Sequence, residues 1–283
     1  MSLRVAEQNQ RPRLGLALSG GAARGMAHVG VLKVFEEEGV RVDCVAGTSA
    51  GALVGGALAA GMTSEEIEGI ARGLRWRDLG RMTLSRLGIQ SNALTEEYVR
   101  ARFPLTRFEE LLMPFAAVAT DLHTGEAVVM RDAGDVAFAI RASCALPGWY
   151  VPVTDPDGRQ LVDGGLVANL PTSVARSLGA DVVVAVDVNY EGAKFIKPTT
   201  MVGVLLQSIV VVQQTAVQHE RRLADVCISP AVGHLRWDEM KRTEEFIAAG
   251  IESARAALPS IKRLLEQNPS EDRSRLQLHH SRD

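Results

Sequence analysis

Cysteine is scarce: the 283-residue chain has three, Cys44, Cys144 and Cys227, with no CxxC pair among them. An odd number of widely spaced thiols in apolar surroundings excludes a disulfide framework and predicts reduced, buried cysteines in a cytoplasmic protein. Histidine is scarce as well. There are six, with no HExxH and no ligand pair at helical spacing before the C-terminal tail. No metal and no cofactor are therefore expected. The opening stretch MSLRVAEQNQRPR lacks the apolar core of a secretory signal. Basic charge is not in excess either. The net charge is −3, and the basic residues are scattered, so nucleic acid is not an expected partner.

Formal charge is missing altogether between Pro198 and Gln218, where MVGVLLQSIVVVQQ is strongly apolar. A spanning helix needs about 20 predominantly apolar residues. Gln207, Ser208, Gln213, Gln214 and Gln218 interrupt this run too often. The spacing predicts an amphipathic helix, buried or facing an interface, with Leu205, Ile209, Val212 and Ala216 on one stripe. Peripheral membrane contact and an isologous homodimer are two uses open to such a helix.

What is present is a globular balance, 46% hydrophobic and 23% charged. No linker and no internal repeat divides the chain, so residues 14–267 are expected to form one domain. Residues 1–13 and 268–283 are expected to be flexible termini, and His279 and His280 in the tail receive no role. LGLALS (14–19), VDCVAG (42–47), PFAAVATDL (114–122), EAVVM (126–130), RQLVDGG (159–165), DVVVAVDV (181–188) and VCISP (226–230) read as strands. Helical patterns fall between them, including 26–39 and 52–61, each stopped by glycine, and a Thr63–Glu66 capping box opens another. Alternating strands and helices predict an α/β fold, a three-layer α/β/α sandwich around a mostly parallel sheet.

Chemistry concentrates in three blocks. The first is GTSAG (47–51), a serine framed by glycines between a strand and a helix. That context suits a nucleophile elbow, in which a strained turn presents the hydroxyl at a helix N-terminus. Ser49 is the candidate nucleophile; a helix-capping turn serine is the plainer alternative. The second block is SGGAARG (19–25), also between strand and helix. A P-loop would need Lys and Ser/Thr where Met26 and Ala27 stand, and a dinucleotide fingerprint would need glycine where Ala22 stands. The remaining reading is an oxyanion loop facing Ser49, built from Gly20, Gly21 and Ala22. Arg24 would brace that loop or touch an anionic head group.

The third block supplies a base. Asp163 with His219 or His234 would satisfy the Ser–Asp–His order of an α/β-hydrolase. The elbow comes too early for that fold, with one convincing strand before it, and neither histidine has a framing motif. Asp163 stands before two glycines in LVDGGLVANLP, which lets a carboxylate approach another loop closely. An ordinary carboxylate is a weak base, so partial burial would have to raise its pKa.

SGGAARG, GTSAG and DGG in this order resemble the bacterial patatin-like phospholipases, and ATDLHTGE (119–126) and IRASCALPGWYVPV (140–153) are similar to that family too. The resemblance covers about residues 14–230. It implies a Ser49–Asp163 dyad, no catalytic histidine and no metal, with Gly20, Gly21 and Ala22 at the oxyanion loop. Ala22 departs from the third glycine of many members. Asp121 and Arg141 are expected as structural braces. The implied function is a serine acyl hydrolase acting on lipid carboxylic esters, with Trp149 and Tyr150 lining an acyl groove. A non-catalytic regulatory or scaffold protein of the same fold is the alternative, and a nucleotide-binding module is a third reading.

Overall fold

A computed structural model describes residues 11–190 and 198–266. The expected flexible segments 1–10 and 268–283, with His279 and His280, lie outside the described residues. Residues 11–13 are tied to the fold: Arg11 pairs with Asp43 at 2.8 Å, and the Arg13 amide donates to Asp181 at 2.9 Å. Among the described residues, Arg11 and Arg13 thus make contacts on the N-terminal side of the expected boundary at residue 14.

The described chain runs β1 (Leu14–Leu18), α1 (Met26–Glu37), β2 (Cys44–Thr48), α2 (Ala50–Ala59), α3 (Ser64–Gly73), α4 (Trp76–Leu79), β3 (Arg81–Met82), β4 (Gly88–Ser91) and α5 (Ala93–Arg102). It continues through β5 (Phe115–Asp121), β6 (Ala127–Arg131), α6 (Val136–Ser143), β7 (Gly148–Tyr150), β8 (Val153–Thr154), β9 (Gln160–Asp163) and α7 (Gly165–Ala168). The last elements are α8 (Thr172–Ser177), β10 (Val182–Val186), α9 (Met201–Leu223), β11 (Val226–Ile228) and α10 (Thr243–Glu266).

Strands β11, β10, β1, β2 and β5 form a parallel core in that order. Alternate residues of these strands go to opposite faces, as a strand's period of two requires. Leu14, Leu16 and Leu18 of β1, with Val182, Val184 and Val186 of β10, pack with α1, α2 and α10. Ala17, Ala46, Ala116, Val183 and Ala185 pack on the other side against Ala175 of α8 and Val217 of α9. Two apolar faces covered by helices make the three-layer α/β/α sandwich. Phe35, Phe115 and Phe246 are fully buried in the larger layer. Each contributes about 1.5–3 kcal/mol relative to an exposed ring.

The sheet turns antiparallel where the site lies. Residues 116–120 of β5 pair with β6 along one edge. Residues 115–118 of β5 pair with β2, and 119–121 pair with β9. Because Ala119 and Thr120 face β6 and β9 at once, β9 must use the same edge of β5 as β2. The two strands therefore lie end to end. Thr48 stands opposite Val118, and Asp163 stands opposite Ala119.

Two features differ from expectation. A second, small sheet of β3, β4 and β7 leaves no clear sequence signature. The predicted stripe on α9 is split between two environments. Leu205 and Val212 are about half exposed, at 50% and 51%, Ile209 and Ala216 are half-buried, and Val217, outside the stripe, enters the core. The capping box opening α3 forms as expected, with the Glu66 amide donating to Thr63 Oγ1 at 3.2 Å.

Candidate active site

Ser49 is the hinge between β2 and α2. Its backbone sits at φ 55°, ψ −120°, a region disfavoured for any residue with a side chain. The framing glycines are required by space: a Cβ on Gly47 would overlap the Gly51 carbonyl, and one on Gly51 would overlap Leu18. The strain is held by a bond that the sequence did not reveal. The Ser49 amide donates to Ser143 Oγ at 2.8 Å, and that hydroxyl donates to the Val118 carbonyl at 2.6 Å. Ser143, at the end of α6, thus pins the elbow to β5.

Asp163 ends β9, and the register brings its carboxyl beside the serine. It is 4% exposed, and Oδ1 accepts from the Gly165 amide at 2.8 Å. Burial raises its pKa from 3.8 to about 6, against smaller lowering contributions from the Ser49 hydroxyl and the Gly165 amide. The predicted pair is therefore brought together, with the carboxyl poised near the working range of a general base.

The loop after β1 closes the other side. Gly20 approaches Ser49 closely, but its amide donates to the Asn169 carbonyl at 3.0 Å. Gly20 is therefore a lining residue and not a free donor, a correction to the expected trio. The Gly21 and Ala22 amides have no partner among the described residues. Ala22 has φ 51°, the left-handed conformation that ordinarily favours glycine. Arg24 is buried and braces the loop. Nε and Nη2 donate to the Leu235 carbonyl at 3.1 and 2.9 Å, and Nη1 reaches Asn189 Oδ1 at 3.4 Å.

Ser49, Asp163, Gly20, Gly21, Ala22 and Arg24 line one cavity of about 830 Å³. Trp149 and Tyr150 line it as well, with Tyr150 buried. Asp121 and Arg141 make local bonds instead. Asp121 Oδ1 accepts from the His123 amide at 2.8 Å, and Arg141 pairs with Glu96 at 3.0 Å. His219 and His234 are both exposed, the latter at the cavity rim. His28 is buried with Nε2 2.9 Å from the Ser19 carbonyl, and burial lowers its pKa to about 4. Among the described residues no group of three His, Cys, Asp or Glu side chains could hold a metal.

Two further lining residues escaped the sequence reading. Asn169 is 2% exposed, with Nδ2 buried and unpartnered. Cys144 also lines the cavity beside the pair. Burial pushes its thiol pKa up, and the Asp163 charge adds to that. Asn169 belongs to LVDGGLVANLP and Cys144 to IRASCALPG, and neither has a spacing rule that marks it.

A family model described as Patatin-like phospholipase matches residues 16–176, more than half of the chain. The chain belongs to the patatin-like phospholipase family. A patatin-like phospholipase domain-containing protein of Caenorhabditis elegans is 40% identical over 182 residues, covering 62% of this chain and 13% of that protein. An uncharacterized NTE family protein of Mycobacterium tuberculosis is 39% identical over 181 residues, covering 63% and 49%. Human patatin-like phospholipase domain-containing protein 6 is 36% identical over 184 residues, covering 62% and 13%. The matched region is thus less than half the length of each of these relatives. The crystal structure of VipD from Legionella pneumophila superimposes with a TM-score of 0.51 at 14% identity, over 88% of this chain and 67% of that one. This likeness concerns the fold. No helix among the described residues is long and apolar enough to cross a membrane.

Proposed function

We propose that the chain is a lipid carboxylic-ester hydrolase working through a Ser49–Asp163 dyad. The reading rests on the end-to-end arrangement of β2 and β9, which leaves a strained serine and a buried, elevated carboxyl at the base of one cavity. Ser49 Oγ attacks the ester carbonyl, and its proton passes to Asp163. The Gly21 and Ala22 amides receive the oxyanion; each such donor is worth roughly 2.7–4 kcal/mol of transition-state stabilisation. Asp163 returns the proton to the departing alcohol, leaving Ser49 acylated. Water then attacks the acyl-enzyme, giving its proton to Asp163, and the carboxylic acid leaves as Ser49 recovers its proton. A dyad without imidazole suits esters, whose alkoxide leaves with less help than an amine.

The elevated Asp163 serves this scheme better than an ordinary carboxylate would. Trp149 and Tyr150 supply apolar wall for an acyl chain, and Arg24 keeps the oxyanion loop rigid. The substrate's own phase, a micelle or bilayer, is the partner this reading implies; a homodimer is a separate use of the α9 surface. The test is a hydrolysis panel of p-nitrophenyl esters, lysophospholipids and diacyl phospholipids, with Ser49→Ala as control. Turnover of at least one lipid ester, lost in the control, is expected. No turnover of any of them, or equal turnover by the control, contradicts the proposal.

A further inference from the structure

Helix α9 shows an apolar face outward. A surface helix ordinarily buries its apolar stripe and shows charge to water. Here Gln207, Gln213 and Gln214 line the cavity, and Gln213 Nε2 reaches over Gly165 beside the dyad. Gln207 Nε2 is buried without a partner. Ile209, Val210 and Val217 share that wall, while Val204, Leu205, Val211 and Val212 on the outward side are 48–51% exposed, and Met201 is 78% exposed. No formally charged side chain offsets them between Pro198 and Gln218.

A second apolar projection is joined to the cavity wall through β7. The β3–β4 hairpin carries Met82 at 71%, Leu84 at 103% and Leu87 at 58% exposure. β4 pairs with β7, and β7 packs against α9 while its Trp149 and Tyr150 line the cavity. Hairpin and helix are thus connected through one strand of the cavity wall. Arg81 and Arg86 alternate with the hairpin's apolar residues, are exposed, and have no ion-pair partner among the described residues.

We infer that the β3–β4 hairpin and the outward face of α9 form one docking surface, which seats the cavity mouth on an anionic lipid bilayer. This rests on the lipid-ester reading of the cavity. Apolar side chains enter the acyl boundary while cations meet the head groups, the division of labour of interfacial elements. The two arginines choose between occupants. An isologous contact would bring equivalent hairpin patches of two copies into one interface, cation against cation. An anionic bilayer neutralises them. α9 then meets the cavity with a mixed face of amides and aliphatic groups, and lipid with Val204, Leu205, Val211 and Val212.

The test is co-sedimentation of the full chain with sucrose-loaded vesicles, phosphatidylcholine alone against phosphatidylcholine mixed with phosphatidylglycerol. Variants are Leu84→Asp/Leu87→Asp and Arg81→Gln/Arg86→Gln on the hairpin and Val204→Gln/Val211→Gln on the helix, all at exposed positions away from the cavity wall. Binding to the mixed vesicles is expected to exceed binding to phosphatidylcholine alone. Each arginine lost should weaken partition roughly fivefold, with salt reducing the difference. The two aliphatic pairs should each weaken binding at least as much. Hydrolysis of a short, monomeric p-nitrophenyl ester should stay unchanged in all three variants. No binding by the unmodified chain, or full binding by the hairpin or the helix variant, overturns the inference. So does light scattering that shows a dimer dissolved by these substitutions. Failure of the lipid-ester reading is distinguishable, because it removes ester turnover while vesicle binding persists.

Discussion

Replacing Asp163 by asparagine separates two consequences of burying a carboxyl at the foot of the cavity. Asparagine keeps the shape and the oxygen that accepts from Gly165, and removes the charge. A carboxyl raised from 3.8 to about 6 costs about 3 kcal/mol when it ionises inside the fold. The native state holds this proton more tightly than the unfolded chain does. The stability tied to it is therefore full below about pH 4 and is lost as pH rises through about 6. Asp163→Asn should accordingly be more stable than the wild type by about 1.5 kcal/mol at pH 5 and about 3 kcal/mol at pH 8. In a chain of this size the larger gain is about 5–6 °C in Tm. Urea unfolding at the two pH values reads it directly. Activity moves the opposite way. Wild-type kcat/KM should rise with pH through about 6 as the base ionises, and the variant should be inactive throughout. A variant no more stable than wild type at pH 8, or a gain independent of pH, would refute the buried-charge argument.

Three other substitutions probe the supports of the site. Ser143→Ala unpairs the Ser49 amide and the Val118 carbonyl, so it should cost about 1–3 kcal/mol and lower kcat roughly tenfold; wild-type values of both would remove Ser143 from the elbow. Gly47→Ala places a methyl group against the Gly51 carbonyl and should destabilise by about 3 kcal/mol or more, so an unchanged Tm would contradict the close approach. Ala22→Gly relieves a left-handed residue worth about 1–2 kcal/mol and adds glycine's freedom of about 0.5–1 kcal/mol. A Tm gain of about 2 °C or less is expected, and a clear loss would count against the φ value at Ala22.

Local rules made half of the site legible. GTSAG announces itself because strand, small residues and helix sit within a dozen positions, and the strained serine depends on those neighbours. Asp163 before two glycines has no comparable local frame, and its meaning depends on the elbow it meets. Its placement depends on β2 and β9 sharing an edge of β5, a property of sheet order that no short pattern encodes. Ser143 and Asn169 act through backbone groups far away in the chain, so residue type and spacing carry no trace of them. Residue type makes the Gly20 amide look as free as those of Gly21 and Ala22; only the Asn169 carbonyl shows that it is taken. Periodicity found α9 but not its orientation, since a stripe has the same spacing whether it faces a core or a lipid. The strands of the small sheet are two to four residues long, too short for alternation to register.

The proposed dyad requires a serine alkoxide generated by a neighbouring carboxylate. A fluorophosphonate followed by intact-mass spectrometry and peptide mapping tests that most directly. One adduct per chain at Ser49 is predicted, absent in Ser49→Ala and formed roughly 10²–10⁴-fold more slowly in Asp163→Asn. An adduct at another residue, or labelling of Asp163→Asn at the wild-type rate, would contradict it.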